Sequence, residues 1–156
     1  MSGRIYAVAF SEVTVTAAQD LFGLLSTSSM AIRPVRLELG QRTLTAWEAK
    51  PLKIIINPTT VTVGSGGSAV TPQPLHGSDP AATFTARAND TTAQTTSGTA
   101  RLIMARDFEF LNGALIVWTP KEDIIVRPSE GLQINLPVAP SASTAMSGTL
   151  FVEEVF

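Results

Sequence analysis

The one histidine of the chain, His76, sits between Leu75 and Gly77, two residues after Pro74. That turn-like context is poor for catalysis. A Ser-His-Asp arrangement would have to recruit one of many serines, and no Gly-x-Ser-x-Gly elbow exists to present it. A metal centre needs several clustered histidines and carboxylates, so a single histidine falls short on ligand count. His76 reads as an exposed or capping loop residue. The glycines at 64, 66 and 67 suggest a phosphate loop only by composition. They lack the Lys-Ser/Thr pair that completes one, and no helix pattern follows to offer a positive N-terminus. A flexible crossover fits better.

Paired carboxylates are the next chemistry to test, since two of them can act as acid and base across a glycosidic bond. Glu122 with Asp123 and Glu153 with Glu154 are adjacent, and neighbours in a strand point to opposite faces. Asp107 and Glu109 would share a face, but Phe108 and Phe110 would then point inward, leaving the carboxylates as a solvated outer surface. A calcium loop wants Asp or Asn at alternate positions ending in Glu, which Asp79, Asn89 and Asp90 do not supply. Trp118 follows the apolar run 115–117 and reads as the cap of a core strand. Trp47 lies in the more polar stretch 43–49, where an exposed indole would serve packing, a subunit contact or a sugar-stacking platform.

The elements that must position these residues are strands. Alternation with a period of two places Val13, Val15 and Ala17 inward against Thr14 and Thr16 outward. Val35, Leu37 and Leu39 oppose Arg36 and Glu38 in the same way, and Leu132, Ile134 and Leu136 oppose Gln133 and Asn135. Residues 53–56, 83–87 and 147–154 repeat the pattern in β-branched and aromatic residue types suited to a pleated surface. Residues 17–25 are open between a strand and a short helical turn, because Leu21, Leu24 and Leu25 fit helical spacing while Gly23 interrupts it. Turn residues recur at short intervals, with Asn112-Gly113 the strongest hairpin signal. The expectation is an all-β, antiparallel β-sandwich or jelly roll forming a single domain over residues 1–156. Residues 1–10 form an N-terminal strand or arm, and residues 59–99 a long surface excursion, with 89–98 as a polar surface loop.

Composition narrows the function classes. The chain has 156 residues, 44% hydrophobic and 15% charged, with a net charge of -2. Charge is well below the roughly 25% of an average soluble domain. A chain so apolar is either tightly packed or partly covered by another protein. Without cysteine, disulfide scaffolds, thiolate metal sites and thiol nucleophiles are excluded. A pI near 5.3 provides no electrostatic footprint for nucleic acid, and no apolar run approaches the ~18–20 residues of a membrane span. The start carries an apolar stretch of only residues 5–10 before polar Ser11 and Glu12, shorter than a signal peptide requires. It reads as a first strand, in a protein used without export. No cofactor and no metal are expected.

Several segments together carry a resemblance. They are residues 6–10 with 13–22, then 33–41, the 64–68 and 71–75 excursion, the 88–92 loop, and 131–140 leading to 146–154. In texture they resemble the small virion proteins of tailed phages, the jelly-roll capsid decoration or cement proteins. The resemblance implies a non-enzymatic protein on the capsid surface, assembled in the host cytoplasm, trimeric, with the major capsid protein as partner and no catalytic residues to transfer. Within that expectation the contacts fall on the N-terminal segment or the 59–75 excursion. The candidate interface residues are Arg4, Ile5, Tyr6, Phe10, Trp47, Val61, Val63, Val70 and Leu75, and an arm at residues 1–10 would be removable without loss of the fold. Trp47 and the threonine-rich loops motivate an alternative, a carbohydrate-binding or receptor-binding module of a tail fibre or baseplate. A hydrolase is the weakest class, given one histidine and no paired site.

Overall fold

The computed structural model describes residues 3–156. Its strands are β1 (Arg4–Val15), β2 (Gln19–Leu25), β3 (Ala31–Gln41), β4 (Ala49–Asn57), β5 (Ser68–Val70), β6 (Gln73–Pro74), β7 (Thr85–Asp90), β8 (Arg101–Glu109), β9 (Ala114–Val117), β10 (Gly131–Leu136) and β11 (Thr144–Val155). They form two sheets with the orders β6-β1-β11-β3-β9 and β5-β7-β2-β10-β4-β8. Every pairing is antiparallel, and no helix occurs among the described residues. The architecture is all-β, two-sheet and antiparallel, with one apolar core between the sheets.

Alternation explains the core. Along β11 the buried positions are Thr144, Met146, Gly148, Leu150, Val152 and Glu154, every second residue without a break. Leu52, Ile54 and Ile56 of β4 and Leu132, Ile134 and Leu136 of β10 face them from the second sheet. At about 25 cal/mol per Å² of apolar area buried, such facing rows are the main source of stability.

Where alternation is broken, a bulge is responsible. In β3, Phe151 pairs with Arg36 and Val152 with Pro34, so Val35 is an extra residue. The sequence places Val35 inward; the bulge instead leaves it half-buried, while Ile32, Pro34, Leu37 and Leu39 are buried. In β2, Ile134 pairs with Phe22 and Asn135 with Asp20, which leaves Leu21 as the extra residue. That insertion buries Leu21, Phe22 and Leu24 together; of residues 17–25, open between strand and helical turn, 19–25 form a strand.

Three further expectations are narrowed or changed. Of the strand or arm expected at residues 1–10, the described residues form the strand: β1 lies between β6 and β11, with Tyr6 and Val8 fully buried. Asn112-Gly113 makes a turn but not a hairpin. Gly113 adopts φ 69, and its amide donates to the Phe110 carbonyl at 3.3 Å. However, β8 before it pairs with β4 and β9 after it pairs with β3, so the turn carries the chain from one sheet to the other. Phe108 and Phe110, edge-to-face at 4.9 Å, can then fill the core from one side and Ile116 from the other. Finally, residues 59–99 are not all surface. They include β7, a strand paired to β2, and Asn89, Asp90 and Gln94 are buried, because this polar loop packs on matching polar groups of the second sheet.

Candidate functional site

The outward positions of the first sheet come together into an apolar band. Pairing across β1, β11, β3 and β9 sets Ala7 opposite Phe151, Phe151 opposite Arg36, and Arg36 opposite Val117. The Arg36 guanidinium lies 4.3 Å from the centre of the Phe151 ring, a cation–π stack that flattens a long side chain onto the sheet. Arg36 Nε is 3.0 Å from Glu38 Oε1 but makes no hydrogen bond. The oxygen lies off the N–H direction, so the contact is an ion pair only. Next to this row, the Leu75 amide donates to the Ile5 carbonyl at 3.0 Å, fixing β6 beside β1. Together Ile5, Val35, Arg36, Leu75, Val117 and Phe151 line a shallow depression of about 290 Å³.

Leu75 and Val117 in this depression are 51% and 58% exposed, and Leu115, two residues along β9 from Val117, is 62% exposed. Polar groups border the band. Arg33 reaches Glu153 and Asp123, both at 2.6 Å; the hydrogen bond to Glu153 leads in holding its guanidinium pKa above the ordinary value, with Asp123 adding to it. Charged pairs thus border the exposed apolar residues and the Arg36–Phe151 stack.

The nine residues singled out in the sequence divide. Ile5 and Leu75 meet on this band. Arg4 lies off the band, on the inward side of β1, 4.6 Å from the Phe156 ring and 3.6 Å from Glu154. Tyr6 does not belong to a surface at all: it is fully buried, and its hydroxyl donates to the Pro80 carbonyl at 3.0 Å. Phe10 is half-buried against Phe22 at 5.2 Å. Val70, in β5, packs against the core margin. Val61 and Val63 flank Thr62, which bridges to Thr95. Trp47, 78% exposed, stands in the connection between β3 and β4. Sequence reasoning missed Phe151, Arg36, Leu115 and Val117. The available signal was the unbroken apolar runs 150–152 and 115–117, which depart from the apolar-polar alternation of a strand with one solvated face.

A second cluster, on the outer side of the second sheet, is polar and buried. Asp20 accepts from the Gln94 amide at 2.7 Å, from Asn135 Nδ2 at 2.7 Å, and from Gln133 Nε2 at 3.0 Å on each oxygen. Asn57 Nδ2 donates to Gln94 Oε1 and Gln133 Oε1 at 2.9 and 2.7 Å. Burial pushes the Asp20 carboxyl above its ordinary value; the three donors oppose this, and nearby Asp90 adds to it. Through Gln94, bonded to Asp20, Asn57 and the Leu24 carbonyl, the network anchors the 91–98 loop to the second sheet. Among the described residues no three His, Cys, Asp or Glu side chains gather as metal ligands. His76 lies in an exposed turn in which its carbonyl accepts the Asp79 amide at 2.9 Å.

Comparison with family models, with curated proteins and with solved structures finds no match to this chain.

Proposed function

We propose that this chain is a non-enzymatic structural protein of a phage virion, a decoration or cement protein that bridges major capsid subunits on the capsid surface. In this reading it assembles in the host cytoplasm as a homotrimer and engages neither nucleic acid nor membrane. The observation that carries the reading is the apolar band around Phe151, Arg36 and Val117, a surface that gains by being covered. Repetition over a symmetric shell would multiply a weak contact through avidity.

Strand order supports the jelly-roll part of the reading. With β5, β6 and β7 set aside as additions, the other eight strands pair as first-eighth-third-sixth and second-seventh-fourth-fifth, the order that two interlocked Greek keys generate.

Light scattering during size exclusion, combined with co-sedimentation on expanded capsids, tests the proposal. A trimer that pellets with the shells is the expected result; a strict monomer left in the supernatant overturns it. The alternative, a carbohydrate- or receptor-binding module of a tail fibre or baseplate, is favoured by the exposure of Trp47. Glycan binding that disappears in Trp47→Ala is its signature.

A further inference from the structure

A cleft at one mouth of the sandwich has a composition suited to a ligand. It measures about 290 Å³ and opens between β1 of the first sheet and the β5–β7 edge of the second, near the lower end of the roughly 300–1,000 Å³ usual for small-molecule sites. Phe10 and Val70 supply an apolar wall. Thr14, Ser68 and Thr91 supply hydroxyls, and no charged side chain lines the cleft.

Its floor is an amide pair. Gln19 and Asn89 are 5% and 9% exposed, and Gln19 Nε2 donates to Asn89 Oδ1 at 2.8 Å. That bond leaves Gln19 Oε1 as an acceptor and Asn89 Nδ2 as a donor. Both residues line the cleft, and neither atom is among the buried polar atoms that lack a partner. The pair is also held in place. Asn89 adopts φ 58 at the end of β7, a left-handed conformation that asparagine tolerates better than most residues. The Gln19 carbonyl accepts from Asn135 Nδ2 at 3.4 Å. Gly67 completes the wall: a Cβ there would collide with the Ala88 carbonyl, so the chain can press this close only without a side chain.

We propose that this cleft binds a neutral saccharide. A fixed acceptor beside a fixed donor matches adjacent sugar hydroxyls, each of which both gives and takes a hydrogen bond. The Phe10 and Val70 wall suits the C–H face of a pyranose ring. An anionic ligand would be desolvated here with no cation to meet it, which selects for uncharged sugars. The site is separate from Trp47 and from the outer face of the first sheet, so it stands independently of the virion reading.

The test is an amide-resolved NMR titration of the full chain with glucose, galactose, mannose, N-acetylglucosamine and lactose, with glycerol and sulfate as controls. At least one sugar is expected to give saturable shifts centred on Gln19, Gly67, Ser68 and Asn89, with a Kd of about 1 mM, or -4.1 kcal/mol. Ser68→Lys and Thr14→Lys change exposed rim positions; each is expected to retain the native spectrum and lose the shifts, as is Gln19→Ala if it folds. Trp47→Ala should titrate like the parent chain. Absence of saturable shifts with every sugar overturns the proposal. So do equal shifts with glycerol, or undiminished binding in both rim variants.

Discussion

One oxygen of Glu154, Oε1, accepts both the backbone amide of Thr83 at 2.6 Å and its hydroxyl at 2.7 Å. Glu154 is a carboxylate on the inward side of β11, fully buried, with Tyr6 Oη 3.4 Å and Arg4 Nη1 3.6 Å from its other oxygen. It ties the return of the long excursion to the first sheet, just before Phe84 packs edge-on against Tyr6. Hydrogen bonds to a charged group contribute about 1.5–3 kcal/mol each. Glu154→Ala is therefore expected to cost about 3 kcal/mol in urea unfolding. Glu153→Ala, which breaks a partly exposed pair with Arg33 and a hydrogen bond from the Gly3 amide at the end of the chain, should cost about 1 kcal/mol. Equal costs for these two neighbours would refute this division of roles.

Asp20 makes stability depend on pH in an uncommon direction. Burial raises its native pKa, so the folded chain holds this proton more tightly than the unfolded one does. Its contribution is then fully present below the unfolded value of about 3.9 and is lost as pH rises through the native value. Asp20→Asn removes that titration and sets an amide N–H₂ against one of the donors, at a cost of about 1–3 kcal/mol. The stability difference between the parent chain and Asp20→Asn should narrow as pH climbs from acid toward neutrality. Widening over the same range would mean that hydrogen bonding, rather than burial, governs this carboxyl.

Much of the fold was legible because alternation is a local signal. Strands β4, β10 and β11 have the faces that their residues indicate, and Phe108 with Phe110 point inward as expected. Sheet membership was not legible: Asn112-Gly113 has the residues of a hairpin turn, and only the competition of Phe110 and Ile116 for one core sends the strands to different sheets. Bulges were equally hidden, since Val35 and Leu21 become extra residues only through their partners on β11 and β10. The site was legible at Ile5 and Leu75 and hidden at Arg36 and Phe151, which are 115 positions apart and meet through strand register alone. The buried amides escaped notice because Gln, Asn and Asp in a threonine-rich stretch look the same whether they face water or one another.

Removing residues 1–10 should destroy the fold. The deletion would strip β11 of seven of its ten pairs with β1 and take Tyr6 and Val8 out of the core. It would also open a strand edge that invites aggregation. The expected outcome is insoluble protein, or soluble protein without a cooperative thermal transition. A truncated chain that melts cooperatively near the parent temperature would restore the view of this segment as an arm.

Val117 separates stability from association most cleanly. It is 58% exposed on the edge strand β9, beside Arg36 on the outer face, and its side chain takes no part in the core. Val117→Lys should therefore shift unfolding free energy by no more than about 0.5 kcal/mol. It would nevertheless place a second cation against the Arg36 guanidinium, at the β9 end of the band proposed to meet the shell. Burying an unpaired charge in such a contact is costly in binding. Co-sedimentation with capsids should fall at least about tenfold, equivalent to about 1.4 kcal/mol, while the melting curve stays in place. Undiminished capsid binding by this variant would move the contact off the first sheet and leave the apolar band without its assigned role.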